Sequence, residues 1–254
     1  MLTLNKIKQL KSLHKKKYRR IEKKILLEGY RIIDQAIDAN SEINEIWVTK
    51  ESKNSDIGKR LFEKINKHNI TWNITSNRII RQISDSLNNQ GIIALLPIPN
   101  YNKLSLIPEK SIYLDGISDP GNMGTILRTA AWFGIKSIFR SPDCVDPFNS
   151  KVVRSAMGAH FYFLHLEKII NEDFWTTLKK SDIEILGANT NGTSIHSLDL
   201  QKINKWCLIL GGESYGISNS VKQFITTQIA IPGSNTIESL NVSIASGILM
   251  SHLS

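Results

Sequence analysis

Hydrophobic residues in the first hundred positions follow two spacings, one typical of strands and one typical of helices. Strand-like apolar runs lie at 25–29, 43–49, 70–75 and 91–96. Helical spacing lies between them, at 30–39, 55–69 and 77–87, and a looser helical spacing occupies 6–24. Strands that alternate with helices predict a small α/β layer domain, here residues 1–98.

A second alternating run begins at Ser111. Its predicted strands are 111–116, 136–140, 160–166, 183–188, 206–210 and 227–231. Its predicted helices are 122–133, 149–157, 171–181 and 239–252. The proline-containing stretch 99–110 between the two runs is typical of a linker. The pattern therefore predicts an α/β protein with a second, larger domain at 111–254.

Length and composition narrow the class of protein. The 254 residues provide ample length for a buried core, and no apolar run approaches the roughly 20 residues of a membrane span. The basic N-terminus lacks the apolar stretch of a secretory signal. Cys144 and Cys207 have no metal-type spacing, so we expect free thiols in a reducing cytoplasm.

Charge is distributed unevenly along the chain. Residues 1–100 hold 19 Lys and Arg against 10 Asp and Glu, whereas residues 101–254 hold 13 of each class. Residues 1–24 alone carry ten basic residues and one acidic residue, Glu22. A basic end on a neutral body is typical of a protein with a polyanionic partner, although a solvated helix face has the same pattern. Nucleic acid is favoured over a membrane surface, because bulky aromatic anchors are missing.

Candidate chemistry lies where predicted strands of the second domain end. Asp115–Asn122 places glycines and backbone N–H groups before a helix, which suits an anion but is also an ordinary tight turn. Arg128 follows in a helix apolar enough to be largely buried. A buried arginine needs a partner, either a structural ion pair or a phosphate or reacting hydroxyl.

The end of the chain carries a further group of polar residues. A buried strand ends at Gly211 and Gly212, followed by the carboxylate of Glu213, and ligands of open α/β sheets bind beyond such strand ends. Ser239 is predicted to be the N-cap of the last helix. Asn241 would then lie inside the first turn, where capping does not explain it, so a site role is favoured.

Three blocks together resemble the signature motifs of the SpoU-type RNA ribose 2'-O-methyltransferases of the SPOUT superfamily. They are Asn122–Arg128, Gly211–Gly216 and Ile231–Asn241, within 111–254. The third block departs from the common pattern, because Gly233 and Asn235 stand where methionine and glycine are usual. The resemblance implies a trefoil-knot fold, S-adenosylmethionine as methyl donor, RNA as substrate and a homodimer whose active site uses both subunits.

The resemblance also implies roles for individual residues. By position, Gly211, Ile231 and Leu240 would line the methyl-donor pocket. The catalytic and RNA-facing positions would be Asn122, Arg128, Glu213, Ser239 and Asn241. Residues 146–158, which include Arg154, resemble a segment near the dimer interface and substrate.

The N-terminal stretch Leu26–Arg31 resembles the substrate-binding domain, similar to ribosomal protein L30, that often precedes this catalytic domain. With the charge asymmetry it predicts RNA contacts through phosphates. The candidate RNA-binding residues are Lys15, Lys16, Lys17, Arg19, Arg20, Arg31 and Arg154. The tryptophans are interpreted as core, and none of the six histidines falls in a metal-ligand pattern.

The hypothesis is S-adenosylmethionine-dependent methylation of a ribose 2'-hydroxyl, with ribosomal RNA favoured over transfer RNA. An arginine is normally always charged, so Arg128 is expected to bind a phosphate and stabilise the forming alkoxide while another acceptor or water takes the proton. A non-catalytic RNA-binding or assembly factor with the same fold is the alternative of another class, and the set of Arg128, Glu213, Ser239 and Asn241 argues against it.

Overall fold

A computed structural model describes residues 2–101, 108–170, 172–234 and 236–254. They form two compact units. Unit 1 comprises Met1–Asn100 and Asp146–Phe161, and unit 2 comprises Tyr101–Val145 and Tyr162–Ser254. Residues 102–107, within the predicted linker, lie outside the described residues, as do Asn171 and Asn235.

Helices and strands alternate along most of the chain. The helices are α1 (Leu4–Ser12), α2 (Lys16–Glu22), α3 (Tyr30–Asp38), α4 (Lys50–Asn54), α5 (Asp56–Lys67), α6 (Asn77–Ile83), α7 (Pro120–Trp132), α8 (Ser150–Ala156), α9 (Asp173–Lys180), α10 (Asn219–Lys222) and α11 (Val242–Leu253). The strands are β1 (Lys24–Glu28), β2 (Glu45–Val48), β3 (Trp72–Ile74), β4 (Ile92–Pro97), β5 (Lys110–Asp115), β6 (Ser137–Arg140), β7 (His165–Lys168), β8 (Glu184–Ser194), β9 (Trp206–Gly211) and β10 (Thr227–Ala230).

Unit 1 contains a four-stranded sheet, in the order β1-β4-β2-β3, with apolar clusters on both faces. β4 is antiparallel to β1 and β2, whereas β2 and β3 are parallel. Successive side chains of a strand point to opposite faces, so Ile92 and Ala94 join one cluster and Ile93 the other. Ile7 and Leu10 of α1 lie in the second cluster, so packing fixes the basic N-terminal helix on the sheet.

The segment Asp146–Phe161 belongs to unit 1, although it falls in the range predicted for the second domain. Val153 of α8 is buried in the cluster that contains Ile25 and Leu27 of β1. The Arg19 guanidinium also binds the Asp146 carboxylate, with 2.5 Å between Nη2 and Oδ2. Apolar burial and a buried ion pair therefore hold this segment in unit 1.

Unit 2 contains a six-stranded parallel sheet in the order β10-β8-β9-β5-β6-β7. The central strands β5, β6 and β9 are buried along nearly their whole length, as expected where a parallel sheet is covered on both faces. α9 supplies Phe174, Trp175 and Leu178 to the cluster around Tyr113 and Ile209. α7 and α11 pack against each other. This mixed α/β architecture confirms the predicted fold class, whereas the trefoil knot stays a prediction.

Two predicted elements of the second domain are wrong in detail. In place of a strand over 160–166, a 3-10 turn at Ala159–Tyr162 precedes β7. Met157 and Gly158 have φ values of 51° and 92°, and this left-handed backbone breaks the chain direction just before the turn. The last helix begins at Val242 and not at Ser239, because Asn241 is its N-cap.

Among the described residues, no helix combines the length and the apolar character that a membrane crossing requires.

Candidate active site

The predicted site residues of unit 2 lie near one edge of the parallel sheet. Asp115 and Gly211 end the adjacent strands β5 and β9, and Ile231 directly follows β10. Parallel strands direct their carboxyl ends to the same edge, which is the usual ligand-binding edge of such sheets. The loops that follow these strands carry the polar groups described below.

Asn122 is fixed by the start of α7. Asp119 caps this helix, and its Oδ1 accepts the backbone N–H of Asn122 at 2.8 Å. Pro120 occupies the first helical position, where the missing N–H costs no hydrogen bond. The Asn122 side chain therefore projects from a capped first turn.

Glu213 follows Gly211 and Gly212, two positions where the backbone packs too closely for any side chain. A Cβ at Gly212 would lie 2.5 Å from the Gly116 carbonyl oxygen, and one at Gly211 would lie 2.2 Å from the Gly216 carbonyl carbon. The Gly212 N–H donates to the Asp115 carbonyl at 2.8 Å, and the Gly216 N–H donates to the Gly212 carbonyl at 2.8 Å. This close backbone packing fixes the turn that holds Glu213.

Asn241 is the N-cap of α11, which corrects the prediction that Ser239 caps this helix. The Asn241 Oδ1 accepts the Ser243 backbone N–H at 2.9 Å and the Ser243 hydroxyl at 2.6 Å. Ser239 is exposed and makes no hydrogen bond in the described part of the chain. Capping explains the oxygen of the Asn241 amide and leaves its nitrogen for the site.

Asn122, Glu213 and Asn241 converge in one hydrogen-bonded group, called here the amide–carboxylate cluster. Glu213 Oε1 accepts from Asn122 Nδ2 at 2.5 Å and from Asn241 Nδ2 at 3.0 Å. Asn241 Nδ2 also donates to Asn122 Oδ1 at 3.1 Å. These residues are far apart in sequence and come from the first turn of α7, the turn after β9 and the N-cap of α11. The cluster presents a carboxylate and two oriented amides to solvent.

Arg128 is exposed, which corrects the expectation that it is largely buried. It lies on the outer face of α7 with Thr125 and Trp132, whereas Ile126 and Leu127 are buried. The apolar neighbours thus cover the inner face only. In the described part of the chain, the Arg128 guanidinium has no hydrogen bond or ion pair, so its N–H donors remain available to a ligand.

Two of the residues predicted for the methyl donor, Ile231 and Leu240, lie in a loop with unpaired backbone groups, and the third, Gly211, ends β9. Gly211 is half-buried at the end of β9, Ile231 is half-buried, and Leu240 is exposed immediately before the cap of α11. Within the described parts of 231–240, no backbone group takes part in a backbone hydrogen bond. A Cβ at Gly233 would meet nothing within 4 Å. These open donors and acceptors fit a polar ligand such as S-adenosylmethionine.

The two cysteines are not candidates for nucleophilic chemistry. Burial raises the pKa of the Cys207 thiol to about 12, and burial also raises the pKa of Cys144. Burial and then the nearby Asp115 charge raise the pKa of Tyr113, so this phenol stays protonated. Among the described residues, no group of three or more His, Cys, Asp or Glu side chains could hold a metal ion.

Most of the predicted RNA-binding residues of unit 1 are exposed cations. They are Lys15, Lys16, Lys17, Arg20 and Arg31. Arg154 is half-buried, with its Nη2 3.9 Å from Asp85 Oδ2. None of these positions is shown to bind RNA, so the assignments stay predictions.

Arg19 is the exception, and its predicted RNA contact is corrected. Its side chain is 5% exposed and binds Asp146. Its Nη1 also donates to the carbonyls of Leu13 and His14, at 2.8 and 2.7 Å. The guanidinium is thus used inside the protein and is closed to a phosphate.

Ser243 was missed by the sequence analysis. Its hydroxyl and N–H both contact Asn241, and the Ser243 residue is 8% exposed. The available signal was its position two residues after Asn241, which is where the side chain of an N-cap residue finds its partner.

Comparison with known proteins yields two family matches. Residues 109–251 match the SpoU rRNA Methylase family. Residues 5–94 match the MRM3-like substrate binding domain. The first match spans the three motif blocks, and the second spans most of unit 1.

The similarity to individual proteins covers nearly the whole chain. The 23S rRNA (guanosine(2553)-2'-O)-methyltransferase RlmP of Bacillus subtilis is 28% identical, over 98% of this chain and 95% of its own length. The structure of a protein assigned to the TrmH family of RNA methyltransferases, from Porphyromonas gingivalis, is 30% identical with a TM-score of 0.85, covering 100% and 98% of the two chains. An AdoMet-bound rRNA methyltransferase from Sinorhizobium meliloti shares the fold, with 23% identity, a TM-score of 0.83, and coverage of 100% and 96%.

Proposed function

The chain belongs to the SpoU rRNA methylase family, and on this premise we propose that it transfers a methyl group from S-adenosylmethionine to a ribose 2'-hydroxyl of ribosomal RNA. The observation that carries the proposal is the amide–carboxylate cluster at the ligand-binding edge of the parallel sheet. The match of residues 5–94 to a substrate-binding domain supports an RNA substrate. The full-length similarity to RlmP makes 23S rRNA the first substrate to test.

S-adenosylmethionine would supply an electrophilic methyl group on a positively charged sulfur. Gly211, Ile231 and Leu240 would hold it, mainly through backbone groups, since the loop groups around 231–240 are unpaired among the described residues. Binding that aligns donor and acceptor can supply up to about 7–11 kcal/mol of a barrier in favourable systems. The rigid glycine turn beside Gly211 suits such alignment.

The protein must also remove the hydroxyl proton, because a neutral hydroxyl is a poor nucleophile. Glu213 Oε1 already accepts two amide N–H groups, whereas Oε2 has no hydrogen bond in the described part of the chain. We assign the proton to this carboxylate, directly or through one water. Arg128, exposed and unpaired among the described residues, would bind the neighbouring phosphate and stabilise the forming alkoxide.

Basic residues of unit 1 would hold the RNA by its phosphates. Lys15, Lys16, Lys17, Arg20 and Arg31 are exposed, and α1 is packed on the sheet through Ile7 and Leu10. Arg154 is proposed as a further contact. Arg19 is not included, because its guanidinium is bound internally.

We also propose that two copies pair through the outer faces of α7 and α11. Trp132 is 84% exposed, and Ile244 and Ile248 are 55% and 38% exposed on the helix that packs against α7. Exposed apolar side chains grouped on neighbouring helices are typical of a protein interface. Both cysteines are free and buried, which supports the proposal of a reducing, cytoplasmic location.

Methylation of RNA by the purified protein tests this function. The assay follows methyl transfer from labelled S-adenosylmethionine to 23S rRNA, 16S rRNA and tRNA, and maps the product nucleotide by 2'-O-methyl-dependent primer-extension stops. Glu213→Gln should lower kcat by about 100-fold or more, since a positioned base contributes roughly 10²–10⁴-fold. The matched variant Glu109→Gln, at an exposed glutamate of unit 2 outside the three motif blocks, should stay within about twofold.

Label found only in tRNA would replace the substrate in the proposal. Protein that binds no S-adenosylmethionine and labels no RNA would instead favour the non-catalytic RNA-binding alternative.

A further inference from the structure

The Asn241 side chain is held at both ends of its amide. Ser243 donates its backbone N–H and its hydroxyl to Asn241 Oδ1, at 2.9 and 2.6 Å. On the other side, Asn241 Nδ2 donates to Glu213 and to Asn122. Both the oxygen and the nitrogen of the Asn241 amide are therefore hydrogen-bonded, and these bonds fit one orientation of the amide.

Ser243 decides which orientation the amide takes. A backbone N–H can only donate, so the atom opposite it must be the Asn241 oxygen. The reverse orientation would place the NH₂ group against this N–H and would turn the amide oxygen towards the Glu213 carboxylate. The Ser243 hydroxyl adds a second donor at the same oxygen. Because Ser243 is 8% exposed, water has little access to replace the lost bonds.

The orientation of Asn241 also determines how Asn122 and Glu213 are oriented. Once Asn241 Nδ2 is fixed, Asn122 must present Oδ1 to it and Nδ2 to Glu213, as observed. Glu213 Oε1 then receives two N–H donors. The direction of the Glu213 carboxylate thus depends on a residue that lies behind the cluster and does not contact Glu213.

We propose that Ser243 is a positioning residue for methyl transfer: it fixes the amide orientation of Asn241 and, through it, the placement of the Glu213 carboxylate. This inference rests on the proposed function, because it concerns the same site. Ser243 contacts neither RNA nor the methyl donor in this role and acts only through Asn241.

Ser246 provides the matched control. It lies on the same helix, is fully buried, and donates its hydroxyl to the Ser243 carbonyl at 2.7 Å. Its bond does not reach Asn241. Ser243→Ala and Ser246→Ala each remove one buried hydroxyl, but only the first removes a donor to Asn241 Oδ1, where the Ser243 backbone N–H then remains as the single donor from this residue.

Steady-state kinetics of these variants test the proposal. Ser243→Ala should lower kcat about threefold to tenfold, the equivalent of one hydrogen bond, with KM for S-adenosylmethionine unchanged. Ser243→Thr, which keeps the hydroxyl, should recover most of kcat. Ser246→Ala should match the wild-type kcat, and both alanine variants should melt at similar temperatures.

A double-mutant cycle separates positioning from a general structural effect. In an Asn241→Ala background, Ser243→Ala should cause no further loss of kcat, because the amide that it orients is missing. A loss that persists in that background would overturn the proposal, as would equal kcat values for Ser243→Ala and Ser246→Ala.

A readout independent of turnover keeps this inference distinct from the proposed function. Nuclear magnetic resonance of the Asn241 side-chain NH₂ group should show faster amide rotation in Ser243→Ala than in wild type or Ser246→Ala. Unchanged rotation would overturn the positioning role even in an active enzyme. Wild-type protein that methylates no RNA would overturn the proposed function, whatever the resonance shows.

Discussion

The Asn241 side chain serves both the cap of a helix and the amide–carboxylate cluster. Its oxygen accepts the N–H that the first turn of α11 leaves unpaired, and its nitrogen binds Glu213 and Asn122. A mutation can separate the role of the amide oxygen from that of the amide nitrogen. An aspartate at this position keeps an oxygen for the cap and removes the donor that faces the cluster.

Asn241→Asp should keep the stability of the fold and lose activity. Aspartate is as good an N-cap as asparagine, so the melting temperature should stay within a few degrees of wild type. Its second oxygen would face the Glu213 carboxylate, and kcat should fall about 100-fold. Melting curves and methyl-transfer kinetics measure the two effects. Near-wild-type kcat in this variant would show that the amide nitrogen is not needed.

The buried His160 should make the stability of the fold depend on pH. Burial lowers its pKa from 6.5 to about 4, and its Nε2 lies 2.7 Å from the Pro147 carbonyl oxygen. The folded state binds this proton less readily than the unfolded state. Stability from this group is therefore complete above pH 6.5 and lost as pH falls towards 4, by up to roughly 3 kcal/mol.

Urea unfolding between pH 7.5 and 4.5 measures this effect. His160→Gln, which cannot titrate, should show a shallower loss of stability over the same pH range. An unchanged slope in the variant would mean that other groups cause the acid sensitivity.

The sequence patterns predicted which polar residues meet better than they predicted how exposed those residues and their neighbours are. Asn122, Glu213 and Asn241 were predicted together and do meet. Exposure of Arg128 could not be read from its apolar neighbours, because α7 buries one face and leaves Arg128, Thr125 and Trp132 on the other. Trp132, predicted with the other tryptophans to lie in the core, is 84% exposed on this same outer face. The outer face of a helix is decided by what packs on it, which a single sequence does not specify.

The positions where helices and strands begin and end were harder to predict than whether a segment is a helix or a strand. Each strand in the described ranges overlaps a predicted apolar run, although β7 follows a 3-10 turn and overlaps its run only in part, and β8 extends to Ser194. The extension of β8 depends on its pairing with β10, which shifts register between Gln228 and Ile229. The short helices α4 and α10 have too few turns to show a periodic pattern. Such features come from long-range pairing or from local caps.

Arg19 and Arg20 are neighbours on α2, but one is buried in an ion pair and the other is exposed, so their alanine variants should differ. Arg19→Ala should lower the free energy of unfolding by about 3 kcal/mol, because it leaves Asp146 without its partner in a largely buried site. Arg20→Ala should change stability by less than about 0.5 kcal/mol. It should instead weaken RNA binding and reduce the salt dependence of the affinity.

Chemical unfolding and RNA titrations at several salt concentrations check both arginines. Loss of the salt-dependent RNA affinity in a folded Arg19→Ala protein would restore Arg19 to the RNA-binding set.

At the scale of the whole molecule, the proposed pairing of two copies can be broken at one residue. Trp132→Glu places a charge on the outer face of α7 and should convert a dimer to a monomer. Leu87→Glu, at a fully exposed apolar residue of unit 1, should leave the dimer intact. Sedimentation velocity at matched concentrations distinguishes the two. A monomeric wild-type protein, or a dimeric Trp132→Glu variant, would contradict the proposed interface.

The discontinuity of unit 1 has a consequence for synthesis on the ribosome. Asp146 and Val153, which pair with Arg19 and cover Ile25 and Leu27, are translated well after residue 100. A nascent chain of a hundred residues would therefore hold a buried cation without its counterion and an uncovered apolar surface. Unit 1 reaches its final form only when residue 161 has left the exit tunnel, so the first segment to emerge must wait for the middle of the chain.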